Sequence, residues 1–218
     1  MNDKLFEFVY RNAMHDATLE QAYDGKKDIL ISDRTNDVRT ILKEHINKII
    51  DGDYINKDED SGKVKYDDDF YKLTELICNK ISKQIPNNDF TFGNAQKLIN
   101  ITVKHFYLLA YKDPNIKQNF KFCHCPMDRI MIAKVARYYR QAIKDKNADK
   151  SNIQFKIKGK EVAAWSSISW GSIKNTEPSE SVKYGIDIYK KYQTMVRFLS
   201  HEEKIIPVEY DYKHFFEE

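Results

Sequence analysis

The sequence predicts an all-α protein, and three observations support this prediction. Glycine and proline, the residues that interrupt helices, number only 7 and 5 among 218 residues. Several long stretches carry apolar residues at helical spacing. Strand-like alternation is confined to residues 152–163, and two strands alone are marginally stable. We therefore expect a mainly helical fold with at most a minor β-hairpin near 152–163.

The N-terminal half contains three predicted helices. The first begins with Asp3 as its cap, and the second spans 36–50 and ends at Gly52. Residues 51–69 are polar and predict a solvated loop or a connection between lobes. The third helix spans 71–85 and stops before a proline. The apolar positions expected to face inward are Leu5, Phe6, Phe8, Val9, Leu73, Leu76, Ile77 and Ile81.

Three more helices are predicted in the C-terminal half. One spans about 94–111 and carries two lysines. Residues 113–126 predict a loop, after which Asp128 is well placed as the N-cap of the next helix. The last helix spans about 181–200.

Length and charge limit the organisation of the chain and its partners. A chain of 218 residues suits a single helical domain over 1–218. Two lobes within it, 1–85 with the C-terminal helix and 86–150, would enclose a central cleft. The net charge of +3 excludes a histone-like binder, but it permits a local basic surface for nucleic acid.

Three cysteines, an odd number, predict reduced thiols and a cytoplasmic protein. No apolar run approaches the roughly 18 residues of a membrane span, so we expect no membrane partner. Cys123, His124 and Cys125 suggest zinc, but neighbours in an extended chain point to opposite sides and no second cysteine pair completes the ligands. A structural role is the preferred interpretation, and we expect no metal and no cofactor.

The most informative pattern is a pair of lysines on one helix. Lys97 and Lys104 are seven residues apart, so both amines project from one face, roughly 10 Å apart along the axis. Ile101 and Leu108 share that face. A lysine on an apolar face costs free energy unless it is paired or neutral, and a neutral lysine is a nucleophile.

The chemistry of this face would be completed by Asp128. Gly93 suits a tight turn before the lysine helix, which places Lys97 in the first turn. There the helix dipole and burial would both lower the pKa of the amine. A carboxylate from the start of the next helix can accept a proton or stabilise an oxocarbenium-like sugar. Together these groups suit cleavage of an N-glycosidic bond.

Residues 93–139 resemble the helix-hairpin-helix DNA glycosylase superfamily, nearest to its archaeal 8-oxoguanine DNA glycosylase branch. The resemblance implies that Lys97 is the nucleophile and Asp128 the catalytic aspartate. Lys104 matches the second lysine of the family, and it would hold a phosphate, tune Lys97 or serve as the reacting amine itself. It also implies duplex DNA with a flipped nucleotide as the partner. The Gly-x-Gly hairpin of the family is reduced to Gly93 here, and 8-oxoguanine is not implied because the base-recognition residues find no match.

Further residues are expected to contact the substrate. They are Phe92, Gly93, Gln96, Arg129, Trp165 and Trp170. The two tryptophans could stack on an extruded base, with core packing as the alternative. The predicted function is therefore a DNA glycosylase, with or without β-lyase activity. The alternative is a non-catalytic helical factor of phage or bacterial defence that binds nucleic acid or a protein.

Overall fold

The computed structural model describes residues 1–18, 35–55, 58–84, 90–110, 113–145, 156–157, 160–161 and 180–214. These residues contain eight α-helices and confirm the all-α prediction. The helices are α1 Asp3–Ala17, α2 Asn36–Ile50, α3 Glu59–Gln84, α4 Phe92–Ala110, α5 Pro114–Lys117, α6 Arg129–Asp145, α7 Glu180–Glu202 and α8 Pro207–His214. A 3₁₀ turn, Gln118–Phe120, follows α5. The strands β1 Lys156–Ile157 and β2 Lys160–Glu161 pair antiparallel inside the predicted 152–163 range.

Helix α4 lies at the centre of the packing. It contacts α1, α2, α3, α5 and α8, while α6 and α8 both pack on α7. Most of its residues are buried, including the polar ones of its first turns. Burial of nearly every position along its length places α4 in the core. The two-lysine helix α4 is therefore packed on several sides. The helices that contact it come from before and after residue 85, the predicted boundary between the lobes. The division into lobes stays a prediction.

The start of the chain differs from the prediction in its cap and its buried face. Asn2 caps α1, because its Oδ1 accepts hydrogen bonds from two backbone amides at 2.9 and 3.2 Å. Phe6 and Val9 are buried, as predicted. Leu5 and Phe8 face outward, with exposed fractions of 37% and 66%. The inward prediction was wrong for these two because the buried stripe continues from Phe6 and Val9 at three- and four-residue steps.

The predicted helix 36–50 is confirmed as α2, and Gly52 follows with a positive φ of 79°. The predicted loop 51–69 is wrong from Glu59 onward, where α3 begins, whereas residues 51–55 form turns. A Cβ at Gly62 would lie 2.2 Å from a backbone oxygen of Tyr54, so the helix and the preceding turn pack too closely for any side chain there. The first turns of α3 bury few residues, so the sequence there lacks the apolar spacing that predicts a helix.

The other helices also depart from their predicted bounds. In α3, Ile77 and Ile81 are buried as predicted, whereas Leu76 is 41% exposed. The predicted loop 113–126 contains the short α5, and α8 was not predicted at all. None of the described helices has an apolar stretch long enough to cross a bilayer.

Candidate active site

Helix α4 begins two residues earlier than predicted because of a reciprocal cap. The Thr91 hydroxyl accepts from the Asn94 amide at 3.3 Å, and Asn94 Oδ1 accepts from the Thr91 amide at 2.9 Å. Gly93 is therefore buried and helical, without the positive φ of a tight turn. Lys97 lies in the second turn, where the helix dipole is weaker than in the first.

Two lysines and two carboxylates interact electrostatically where α8 packs against α4 and α6. Lys104 Nζ donates a charge-assisted hydrogen bond to Asp211 Oδ2. The Asp211 side chain is only 1% exposed, and that of Lys104 is 23% exposed. The charges of Lys97 and Asp128 also act on the Asp211 carboxylate. We define this group as the lysine–aspartate cluster: Lys97, Lys104, Asp128 and Asp211.

Asp128 caps helix α6. Its Oδ1 accepts a hydrogen bond from the Met131 amide at 2.8 Å, and its carbonyl oxygen accepts from the Ile132 amide at 2.9 Å. A carboxylate at this position is stabilised by the backbone N–H groups and by the dipole of the helix. The cap fixes the direction in which this carboxylate enters the cluster.

Asp211 is the functional candidate that the sequence did not reveal. Burial raises the pKa of its carboxyl group above the usual value, and the negative charge of Asp128 acts in the same direction. Lys104 and Lys97 oppose that rise but do not cancel it. Pro207 at the start of α8 is a helix signal, yet nothing local marks a pairing with Lys104 across 107 residues.

The segment that delivers Asp128 is held by side chains along its backbone. Gln96 donates to the carbonyl of residue 127 at 3.0 Å and accepts from its amide at 3.4 Å. Gln193 bonds the carbonyl and amide of residue 125 at 2.7 and 3.1 Å. Tyr192 donates to the carbonyl of residue 126 at 2.8 Å. Gln96 was predicted to bind substrate, but its amide atoms bond to the protein.

The hydrogen bonds from Gln96, Tyr192 and Gln193 to the backbone of residues 125–127 form what we call the backbone clamp, and they lead to a stability prediction. We expect Gln96→Leu to lower the free energy of unfolding by about 1–3 kcal/mol, because it leaves buried backbone groups of Met127 without partners. Gln84→Leu, at the exposed end of α3, is the matched control and should change it by less than about 0.5 kcal/mol. Urea denaturation measures both, and equal small effects would contradict the clamp.

A buried chain of hydrogen bonds extends from the clamp across the core. Asn100 donates to Gln96 Oε1 at 3.0 Å and to the Tyr189 hydroxyl at 2.8 Å. His124 lies next, with Nδ1 3.0 Å from that hydroxyl and Nε2 2.8 Å from Asp67 Oδ1. Burial lowers the pKa of His124 to about 4, so the imidazole is neutral near pH 7. Its Nε2–H then donates to Asp67, and Nδ1 accepts from Tyr189.

Asp67 closes this chain together with Arg197. The Arg197 guanidinium donates two hydrogen bonds to the carboxylate, at 2.9 and 2.5 Å. Hydrogen bonds from His124 and Arg197 hold the pKa of Asp67 well below its usual value, against the opposing effect of burial. Cys123, His124 and Cys125 are all buried, in agreement with a structural role. No three metal-binding side chains come together in the described part of the chain.

Two buried histidines predict how stability depends on pH. Burial lowers the pKa of both His45 and His124 to about 4, from 6.5. Between these values the unfolded chain binds more protons, so the free energy of unfolding should fall as the pH drops from about 6.5 to about 4. Each histidine contributes up to about 1.4 kcal/mol per pH unit.

Unfolding midpoints measured at several pH values test this dependence. His45→Gln should reduce the steepness by removing one of the two groups. His201→Gln is the control, since that side chain is 89% exposed. A wild-type stability that stays constant from pH 6.5 to 4 would contradict the prediction.

The remaining predicted site residues differ in where they lie, and two of them fall outside the described residues. Phe92 is buried, and its ring centroid lies 5.4 Å from that of Tyr189. Arg129 is the first residue of α6. Trp165 and Trp170 lie outside the described residues. Their roles as substrate contacts stay predictions.

Two of the surface grooves in the described region have volumes near 500 Å³, and neither is lined by the lysine–aspartate cluster. One, of about 500 Å³, lies between α1 and α4, and its apolar walls include Phe8 and Leu109. The other, of about 510 Å³, lies beside α7 and includes Lys121 and Arg197. Comparisons with protein-family models, curated proteins and solved structures find no match to this chain.

Proposed function

We propose that this protein is a DNA glycosylase with associated lyase chemistry, and that Lys97 is its nucleophile. The observation that supports the proposal is the ion pair of Lys104 with the buried Asp211, a carboxylate on which the charges of Lys97 and Asp128 also act. A positioned amine beside a carboxylate is what nucleophilic cleavage of an N-glycosidic bond requires. The resemblance of residues 93–139 to helix-hairpin-helix glycosylases agrees with it.

The reaction assigns a separate task to each group. The neutral amine of Lys97 forms a bond to C1′ of a flipped nucleotide as the bond from C1′ to the base breaks. The electron pair of the broken bond leaves with the base, which takes up a proton from water. Asp128 stabilises the positive charge that develops on the sugar and accepts the proton that the amine loses. The sugar ring then opens: the bond from C1′ to O4′ breaks, O4′ takes up the proton held by Asp128, and a protonated imine forms between C1′ and the nitrogen of Lys97.

Lys104 has a supporting role in this proposal. Its amine donates a hydrogen bond to Asp211, which holds the side chain of Lys104 in place, whereas the nucleophile must be able to approach C1′ of the sugar. Asp211 therefore anchors the second lysine, and the Lys104–Asp211 pair sets the electrostatic environment in which Lys97 and Asp128 act.

The experiment is trapping with borohydride, which reduces an imine to a stable amine. The wild-type protein is incubated with duplexes that each carry one modified base, and covalent protein–DNA adducts are separated by denaturing electrophoresis. We expect an adduct with at least one duplex and none when borohydride is omitted. Absence of both adduct and base release across the panel would refute the proposal and favour a non-catalytic binding protein.

A further inference from the structure

The charged residues of helix α6 are almost all positive. From Arg129 to Asp145 its only acidic residue is the last one. Its basic residues are Arg129, Lys134, Arg137, Arg140 and Lys144. The net charge of the whole chain is only +3, so this helix is more basic than its surroundings.

The exposed side of α6 has the spacing of a single helical face. Ile130, Ala133, Arg137 and Arg140 are all exposed and follow one another at three- or four-residue steps. The opposite side packs into the core through Met131, Ile132, Val135 and Ala136. We call the exposed side, with Arg137 and Arg140 at its centre, the outer face of α6.

Several surface lysines on other helices have carboxylate partners. The pairs are Lys43 with Asp3, Lys80 with Asp37, Lys117 with Glu209 and Lys213 with Glu203. In the described part of the chain, no carboxylate pairs with Arg137 or Arg140. The Arg137 guanidinium lies 4.9 Å from the ring centroid of Tyr138 and donates to its hydroxyl at 3.1 Å. The outer face therefore presents positive charge that the described residues do not neutralise.

We propose that the outer face of α6 binds the phosphate backbone of duplex DNA. Guanidinium groups match phosphate oxygens with paired hydrogen bonds, and one guanidinium is already oriented by its contact with Tyr138. The choice of DNA rests on the proposed function. The charge of the face does not depend on the lysine chemistry, so binding and cleavage can be tested separately.

The position of this face relative to Asp128 predicts which phosphates it contacts. Arg137 and Arg140 lie nine and twelve residues after the helix cap, which is about 14 and about 18 Å along the axis. Stacked nucleotides advance about 3.4 Å each. On a strand that runs along the axis of α6, the arginines would contact phosphates of flanking duplex about four or five nucleotides from a nucleotide bound at Asp128.

The test compares two charge-matched double variants of the full chain. Arg137→Gln with Arg140→Gln removes two charges from the outer face, and Lys43→Gln with Lys80→Gln removes two carboxylate-paired charges from α2 and α3. Fluorescence anisotropy measures binding to an undamaged duplex over a series of salt concentrations, and co-sedimentation measures binding to phosphatidylserine vesicles. Thermal unfolding verifies that the variants fold.

We expect the arginine variant to bind at least about tenfold more weakly at low salt, and its salt slope to be smaller by about 2, because each phosphate contact contributes about 0.9. The lysine variant should match the wild type. This result would support the inference even if no substrate traps with borohydride. Absence of DNA binding by the wild type, equal losses in both variants, or a loss seen on phosphatidylserine vesicles and not on DNA would overturn it.

Discussion

We expect Lys97→Gln to abolish the borohydride-trapped adduct, with a fall of about 10³-fold or more in the rate of base release. An amide nitrogen cannot form an imine, and loss of a nucleophile removes most of the rate enhancement. The measurement is single-turnover release of the base from a duplex that the wild type cleaves. Retention of the adduct in Lys97→Gln would mean that another amine is the nucleophile.

The second prediction concerns Asp128→Asn, a substitution at the N-cap of α6. Asparagine caps helices as well as aspartate does, so the hydrogen bond to Met131 and the start of α6 should survive. Only the charge and the proton-accepting group are lost. Base release should slow by about 10²- to 10⁴-fold with little change in DNA affinity.

A control must separate the role of Lys97 from that of the second lysine. Lys104→Gln alone would leave the buried Asp211 carboxylate without its cation and could destabilise the fold. Lys104→Gln combined with Asp211→Asn removes both charges. This double variant should still trap, although more slowly than the wild type. If the double variant forms no borohydride-trapped adduct while Lys97→Gln still forms one, Lys104 rather than Lys97 is the nucleophile.

The largest expected loss of stability follows from Asp67→Ala. This change leaves Arg197 without its carboxylate, and it leaves the buried Nε2–H of His124 without an acceptor. Breaking a buried charged pair by removing one partner costs about 3–5 kcal/mol. We expect about 3 kcal/mol, because the Asp67 side chain is 25% exposed.

Urea denaturation of Asp67→Ala against Asp68→Ala measures this loss. Asp68 is exposed on the next position of α3, so its removal should change the free energy of unfolding by less than about 0.5 kcal/mol. Equal, small effects of both substitutions would show that the series of hydrogen bonds linking Asp67 to Gln96 does not stabilise the core.

Local patterns predicted the parts of the fold that depend on local chemistry. Helix α2 and its stop at Gly52, and the cap at Asp128, follow from residue types within a few positions. The start of α3 was missed because its buried contacts are sparse. There the close packing of Gly62 on Tyr54 is a tertiary effect that no local pattern records.

Long-range pairing explains why the site was predicted only in part. The seven-residue spacing placed Lys97 and Lys104 on one helix face correctly. The partner of Lys104 is Asp211, on a helix that was not predicted. Gln96 was expected to contact the substrate, whereas it bonds to a backbone segment 31 residues away. Such contacts depend on how the helices pack.

The most direct test of the lysine–aspartate cluster is mass-spectrometric mapping of the trapped adduct. The wild-type protein is reduced with borohydride on a cleavable duplex, digested, and the modified peptide is sequenced. The proposal predicts that the sugar remnant is attached to Nζ of Lys97. Attachment to Lys104, or to any lysine outside α4, would contradict it.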